Sequence, residues 1–591
     1  MKETVVIIDS GVDKPYANII GGVSLSMNVN GSVIFSDTVA DNIGHGTAIY
    51  HLINDACKNI DFFVVKIFDA SYKANQTLLL HALQYIYDNV HCKFIVISSG
   101  SVVCLNKKAI SAIIDKLYYE KGIFIISAFN NEGALSFPSS HTNVIGVDSS
   151  EFVSTAEKYY IVSGSDVDIL SSRKTHRLKW LNGKKNIAAG NSFIAPEFAS
   201  MMINAYQQLG GTITDKAVLL KSICYENNHI VFDDVGEHDK SKARLTPEYV
   251  LGDTEKKLKA VTFPFSKEVR SLAANEDLLQ IDIVQYCDIK QSGKTGLKVA
   301  QLLGYSANNK KIEDINKIDW NSDFDMVVLG HCDMLKAASG EDWFETILCL
   351  AKKHNKYVFA FDPVENEYEK LFSPPLIASY SSKTFAKLRQ VDTPVLGIFG
   401  TSSQQGKFSL QLNMRRRFLQ DGYAVGQITT EPMGYLFGMD YTYPTGYNRS
   451  IGLSQEPMAM FVNELMYDCS LKEPNIILVG GQAHIVPPMW VHANNYGFRQ
   501  YEFMTGTLPD AVLLVVNTFD SVRYIKRSIA FIEAAADCQV VACVVSPTPH
   551  NHPAKFNSVD ELAGQISKPV LAFSDVESIY SSVIEFFGGK R

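Results

Sequence analysis

Short continuous apolar runs alternate along the chain with longer segments whose apolar residues recur three and four positions apart. Residues 5–8, 62–67, 94–97, 123–126 and 144–147 predict buried strands, and 77–90 and 107–120 predict helices. Strands that alternate with helices imply a parallel sheet covered on both faces. The first 210 residues therefore predict an α/β domain. Residues 231–259 are polar and charged (Asp233, Asp234, Glu237, Asp239, Lys240) and read as a boundary. A second α/β pattern follows, with strands at 281–284, 326–329 and 357–361 and a helix near 343–353; Pro374 and Pro375 punctuate its end. A third begins at 395–399 and continues through 476–479, 512–516 and 540–545.

Composition narrows the class. Hydrophobic residues make up 46% of the 591 and charged residues 20%, so the chain can bury several ordinary cores and is neither disordered nor fibrous. At roughly 150 residues per domain the length allows about four domains. The net charge of -8 comes with no basic domain, which argues against nucleic acid as a partner. Arg415, Arg416 and Arg417 form a compact basic triplet that reads as a solvated helix face. The longest apolar stretches, such as 511–516, fall far short of the ~20 residues a membrane helix needs, so no membrane partner is expected. Ten scattered cysteines without a CxxC pair or a Cys/His cluster suggest neither a disulfide framework nor a metal site. With no separate apolar targeting segment, the chain reads as cytoplasmic.

Four segments of the first domain carry candidate chemistry. Asp9 ends a predicted buried strand and is followed by a turn glycine, Gly11; taken singly, an aspartate there is more often a turn former or cap than a catalyst. His45, between Gly44 and Gly46, opens an apolar helix. Ser192 follows Gly190 and Asn191 at the head of another helix, where unpaired N–H groups and the dipole favour developing negative charge. Asn131 follows the strand at 123–126, at a carboxyl end of the kind where open α/β sheets hold ligands.

Together these segments resemble the subtilisin-like serine peptidases, in the order Asp, His, Ser. Residues 64–69, Ser98-Ser99-Gly100, and Phe137-Pro138 before 144–147 are also similar to that family. The resemblance implies Ser192 as nucleophile, His45 as general base and Asp9 as the residue that orients it. It also implies Asn131 and the Ser192 backbone N–H as oxyanion donors, and Ser98, Ser99 and Gly100 as the edge that pairs with an extended substrate. The sequence departs from the family pattern at Asn130, Asn191, Phe193 and Ile194. The chain as given opens on the first strand, which reads as lacking a pro-domain; narrow specificity or control by the C-terminal half is expected.

Residues 397–409 follow a predicted strand and precede a helix expected over 410–419, the setting in which backbone N–H groups and a lysine cradle phosphates. Five residues separate Gly400 from Gly406, and Phe408 separates Lys407 from Ser409, so the strict Walker pattern is not met. The variant resembles P-loops of the dethiobiotin-synthetase-like group, and an uncharacterised family that pairs a Rossmann-like domain with such a P-loop. That resemblance implies ATP or another nucleotide held by Gly400, Gly406, Lys407 and Ser409. Gly480 stands where a carboxylate is expected, and no metal is predicted. Gln291-Ser292-Gly293-Lys294-Thr295 only imitates such a loop: Asp288 replaces its first glycine, and the segment is expected to start a helix.

Residues 263–279 and the P-loop region also resemble a clostridial-type peptide maturation protein family, over residues 260–590. The expected organisation is a subtilisin-like peptidase domain at 1–230, a linker at 231–260, a Rossmann-like α/β domain at 261–390 and a P-loop α/β domain at 391–591. The expected activity is endoproteolysis of a peptide or precursor protein, such as removal of a leader, beside a modification-enzyme partner or a second copy of the chain. Two alternatives stay open: a nucleotide-binding scaffold whose peptidase fold only grips peptides, and an ATP-dependent ligase or kinase-like C-terminal half.

Overall fold

The computed structural model describes residues 2–231 and 257–588, apart from 69–74, 103, 132, 151–152, 154–158, 226–227, 305–307, 365–367, 375–383, 385–386, 445–454, 489–494, 547–553 and 557. Most of the linker expected at 231–260, together with Asp69, Glu132 and Pro375, lies outside the described residues. The chain divides into two compact units, Met1–Asp234 with Ser382–Gln390, and Val235–Ser381 with Val391–Arg591. A cut of the sequence at 390 would leave Ser382–Gln390 with the second α/β pattern; its contacts instead group it with the first unit.

In chain order the first unit comprises β1 (Glu3–Asp9), β2 (Ile19–Met27), β3 (Val33–Ser36), α1 (His45–Ala56), β4 (Ile60–Lys66), α2 (Gln76–Asn89), β5 (Phe94–Ile97), α3 (Lys107–Tyr119), β6 (Phe124–Ala128), β7 (Val144–Ser150), β8 (Tyr159–Ser163), β9 (Ile169–Ser172), β10 (Thr175–Lys179), β11 (Lys185–Ala189), α4 (Asn191–Gln208), α5 (Lys216–Lys221) and β12 (His229–Val231). One ten-stranded sheet runs β12-β8-β9-β7-β6-β5-β1-β4-β2-β3. Its pairs are parallel except β2 with β3 and β8 with β9. The apolar runs Val5–Ile8 of β1 and all of β5 are buried because helices cover both faces. Ala48, Ile49 and Ile53 of α1 and Phe198, Ala199 and Met202 of α4 pack into one core with Val5, Ile7, Val64 and Val96. Leu83 and Ile86 of α2 and Ile110 and Ile114 of α3 join Val6, Ile8 and Ile95 in the other. The helices that carry His45 and Ser192 therefore share one face of the sheet. Because β1 lies between β4 and β5, the connections diverge at its carboxyl end, opening a crevice at Asp9.

The second unit repeats this device twice. A six-stranded parallel sheet runs β15 (Ile312–Asp314), β14 (Ile281–Asp288), β13 (Leu258–Phe263), β16 (Met326–Leu329), β17 (Tyr357–Ala360), β18 (Leu371–Phe372). A seven-stranded parallel sheet runs β21 (Tyr441–Thr442), β20 (Val425–Thr429), β22 (Ile476–His484), β19 (Val395–Gly400), β23 (Ala511–Val516), β24 (Gln539–Val545), β25 (Val570–Ala572). In each, the first strand in the chain is internal, so the crevices fall at the ends of β13 and β19. The fold class is thus α/β throughout. No helix among the described residues is long and apolar enough to cross a membrane.

Two local expectations are corrected. Residues 290–292 form a 3-10 turn, and Lys294 closes back on Asp288 at 3.0 Å and on the Phe265 carbonyl at 2.9 Å; no helix starts there. The basic triplet is not one solvated face. Arg415 is buried and donates to the Gly438 carbonyl at 2.8 Å, whereas Arg416 pairs with Asp277 and Arg417 with Asp421 and Glu577.

Candidate functional site

The crevice at the end of β1 collects the residues singled out in the first unit. Asp9 is fully buried, and its carboxylate accepts from His45 Nδ1 at 2.8 Å and 3.0 Å and from the Ser10 N–H at 2.7 Å. His45 is the first residue of α1, after Gly44 at φ 100°, and is 6% exposed. Gly46 is required by contact: a Cβ there would stand 2.3 Å from the Gly11 carbonyl oxygen. Burial favours the neutral imidazole, but the charge and hydrogen bond of Asp9, with the charge of Asp41 beyond it, outweigh burial and lift the pKa of His45 above the ordinary histidine value.

Asp41 escaped the sequence reading, and it builds the turn into α1. Its carboxylate accepts from Ser10 Oγ, the Ile43 and Gly44 N–H groups, and both the N–H and the hydroxyl of Thr47, at 2.7–3.0 Å. Burial pushes its carboxyl up, yet those hydrogen bonds prevail and hold it below the usual carboxylate range. The available signal was an aspartate three positions before a glycine that caps a helix.

Ser192 is partly exposed in the first turn of α4, after Gly190 at φ 135°. The ring of Phe193, next in the chain, packs 4.9 Å from the His45 imidazole, centroid to centroid, so the head of α4 lies against the start of α1. Asn131 is exposed, and its Oδ1 accepts the Asn191 N–H at 2.8 Å, which commits its oxygen and leaves Nδ2 as the donor end. Asn191, a departure from the family pattern, is buried and donates through Nδ2 to Asp148 at 2.7 Å and to the Phe129 carbonyl at 3.2 Å. Its Oδ1 accepts from Ser149 Oγ at 2.6 Å.

Ser98, Ser99 and Gly100 follow β5, between the ends of β1 and β6. Ser98 is buried, and its hydroxyl has no hydrogen-bond partner among the described residues. Ser99 gives its carbonyl to Ser127 Oγ at 3.5 Å, and Gly100 passes so close to Ser136 that a Cβ would meet its Oγ at 2.5 Å. Thus Asp9, Asn131 and the 98–100 segment lie beyond the carboxyl ends of neighbouring central strands, with His45 on Asp9 and the head of α4, which bears Ser192, against His45.

The second candidate site lies at the end of β19, in the second unit. Gly406, at φ 88°, caps the helix Lys407–Gln420, which begins three residues before the expected start. Gly406, Lys407 and Ser409 line a cavity of about 570 Å³ with Lys267, Glu268 and His484. Gly400 stands behind the loop instead, where a Cβ would meet Gln405 Oε1 at 2.4 Å. The loop is preset from within: Gln405 accepts the Ser402 N–H at 2.8 Å and donates to Thr401 Oγ1 at 2.6 Å, while Thr401 donates to Asp520 at 2.5 Å. Lys407 is buried, and desolvation pulls its pKa down to about 7 against the opposing charge of Glu431. Lys407 Nζ donates to the Ser402 carbonyl, with Glu431 in the same cavity, and this lysine at the head of a glycine-capped helix suits a phosphate-bearing ligand. Gly480 has a steric reason as well: a Cβ there would lie 1.5 Å from Gln411 Nε2, whose amide is held by Gln427 at 3.2 Å. Buried amides occupy the space a metal-binding carboxylate would need. Also missed from sequence is His331, which follows β16 and pairs through Nδ1 with Asp362 after β17 at 2.6 Å.

Residues 383–574 match the family model described as domain of unknown function DUF1611, P-loop domain; the C-terminal region is therefore a P-loop domain. Among curated proteins no sequence matches. A solved DUF1611 family protein from Anabaena variabilis ATCC 29413 is similar at 12% identity, over 56% of this chain and 100% of that one, with a TM-score of 0.41. A cold-adapted subtilisin-like serine proteinase is similar at 19% identity over 38% of this chain and 83% of its own, TM-score 0.31. A lanthipeptide protease is similar at 15% identity over 37% and 78%, TM-score 0.29.

Two outcomes follow from the geometry. In NMR titration of the full chain, the His45 imidazole should titrate above about 6.5, and Asp9→Asn should lower that midpoint because the stabilising charge is gone; an unchanged midpoint refutes the electrostatic account. Gly480→Ala should cost about 1–3 kcal/mol in urea unfolding through overpacking, and adding Gln411→Ala should restore part of it.

Proposed function

We propose that the first unit is a serine endopeptidase of the subtilisin type that processes a peptide precursor in the cytoplasm. The observation that carries the reading is the buried Asp9–His45 pair at the end of β1, on the sheet face whose other helix presents Ser192. Ser192 Oγ attacks the scissile carbonyl while His45 Nε2 takes its proton, then returns it to the leaving amine. Asp9 holds the Nδ1 tautomer and stabilises the imidazolium. The Ser192 N–H and Asn131 Nδ2 receive the oxyanion, where each such donor is typically worth about 2.7–4 kcal/mol. The backbone of Ser98, Ser99 and Gly100 is the edge on which an extended substrate would pair. Ser192 and Asn131 keep access to solvent, as an entering peptide requires.

The P-loop domain, in this reading, binds ATP or another nucleotide and serves regulation or recognition. Its support is the buried Lys407 at the mouth of a helix-capped loop, beside a cavity large enough for such a ligand. Nothing in the Gly480 surroundings favours hydrolysis. The clostridial-type maturation resemblance makes a leader-bearing, modified peptide the substrate class, with a modification enzyme or a second copy of the chain as partner.

A fluorophosphonate probe tests the peptidase reading. Labelling of the wild type, abolished in Ser192→Ala and in His45→Ala, is the expected outcome; an unlabelled wild type would instead favour a scaffold that only grips peptides. For the P-loop, ATP binding followed by calorimetry in buffers of differing ionisation enthalpy should show proton uptake near pH 7.5. The sign follows from Lys407: its pKa of about 7 leaves it mostly neutral when the loop is empty, and a bound phosphate raises that value. Uptake should vanish in Lys407→Gln.

A further inference from the structure

The first unit holds a buried ion pair whose two members are 239 positions apart in the chain. Lys387, from the segment Ser382–Gln390, donates to Asp148 Oδ2; the lysine side chain is 8% exposed and the aspartate 3%. A buried ammonium and a buried carboxylate are each costly alone, so each requires the other. Arg389 ties this part of the chain to Asp166, through Nη1 at 3.0 Å, and Thr384 bonds to Lys387 itself, its Oγ1 donating to the Lys387 carbonyl at 2.6 Å.

The second oxygen of Asp148 leads to the candidate active site. Asp148 Oδ1 accepts from Asn191 Nδ2 at 2.7 Å; that side chain also holds the Phe129 carbonyl, and the Asn191 N–H holds Asn131 Oδ1. Asn191 therefore ties the head of α4, which bears Ser192, to the loop that bears Asn131. With Lys387 in place, one oxygen of Asp148 meets the ammonium and the other accepts from Asn191. Without it, the buried carboxylate has no counter-charge, and its hold on Asn191 weakens.

We propose that Lys387 is a positioning residue for the oxyanion donors of the first unit, acting through Asp148 and Asn191. The inference rests on the serine-peptidase reading and adds its control. Lys387, remote in sequence from the rest of the first unit, completes the peptidase site through its contact with Asp148.

The test uses the full chain with a fluorophosphonate probe and a cleavable peptide identified by digestion with the wild type. In Lys387→Met, kcat and the labelling rate should fall at least tenfold while KM changes less than threefold. In Lys387→Met/Asp148→Asn, where a neutral amide replaces the unpaired carboxylate, most of that loss should be recovered. A purely structural role would lower Tm without separating kcat from KM and without this rescue. A folded Lys387→Met with wild-type kcat and labelling rate overturns the proposal. Should Lys387→Met fail to fold, Lys387→Arg decides: the planar guanidinium cannot reproduce the point contact of an ammonium, so kcat should fall at least threefold at constant KM, and an unchanged kcat overturns the proposal. If the wild type itself takes no label, the peptidase reading has failed, a result distinct from all of these.

Discussion

The hydrogen bond between the Asp9 carboxylate and His45 Nδ1 is the interaction on which the first unit is organised. A fully buried carboxylate at a strand end is tolerable only if donors surround it. His45 Nδ1 and the Ser10 N–H meet that condition. The requirement draws the first turn of α1 onto the end of β1, and Asp41 secures the same turn from its other side through Thr47 and Gly44. Electrostatics follow from the packing: the pair that satisfies Asp9 also raises the basicity of the imidazole.

A single topological rule places all three candidate crevices. In each sheet the first strand is internal and the chain builds first on one side of it and then on the other, the arrangement in which a cleft opens beyond its carboxyl end. β1 ends at Asp9, β13 leads into Lys267 and Glu268, and β19 leads into the loop capped by Gly406. Within the second unit, residues from the last two of these line one cavity. The P-loop is stiffened by its own side chains, Gln405 and Thr401, and its glycine at 480 is explained by the Gln411 amide packed against it.

Much of this was legible in sequence. The runs at 94–97, 326–329 and 343–353 match β5, β16 and a helix residue for residue: the two strands are short apolar runs, and the helix keeps its apolar residues three and four apart after a capping aspartate. The outer strands β2, β3, β8 and β12 were not legible, since polar or solvent-exposed residues such as Ser24, Ser26 and Tyr160 dilute the apolar pattern. Lys407 already begins its helix because Gly406 caps it, a backbone feature that residue periodicity does not encode. Arg415 is buried while its neighbours are partly exposed because each residue step along a helix turns the side-chain direction by about 100°.

From the chain alone came the α/β class, the order Asp9, His45, Ser192, and the glycine-flanked loop before Lys407, because local patterning and turn chemistry act within a few residues. Tertiary structure decided what depends on distant burial. It set the shift of His45, the reach of Asp41 to Ser10, the amides that exclude a carboxylate at Gly480, and the pairing of Lys387 with Asp148. Each of those arises from a polar group that must find its partner inside the protein, and no local pattern announces which residue from a remote stretch will provide it.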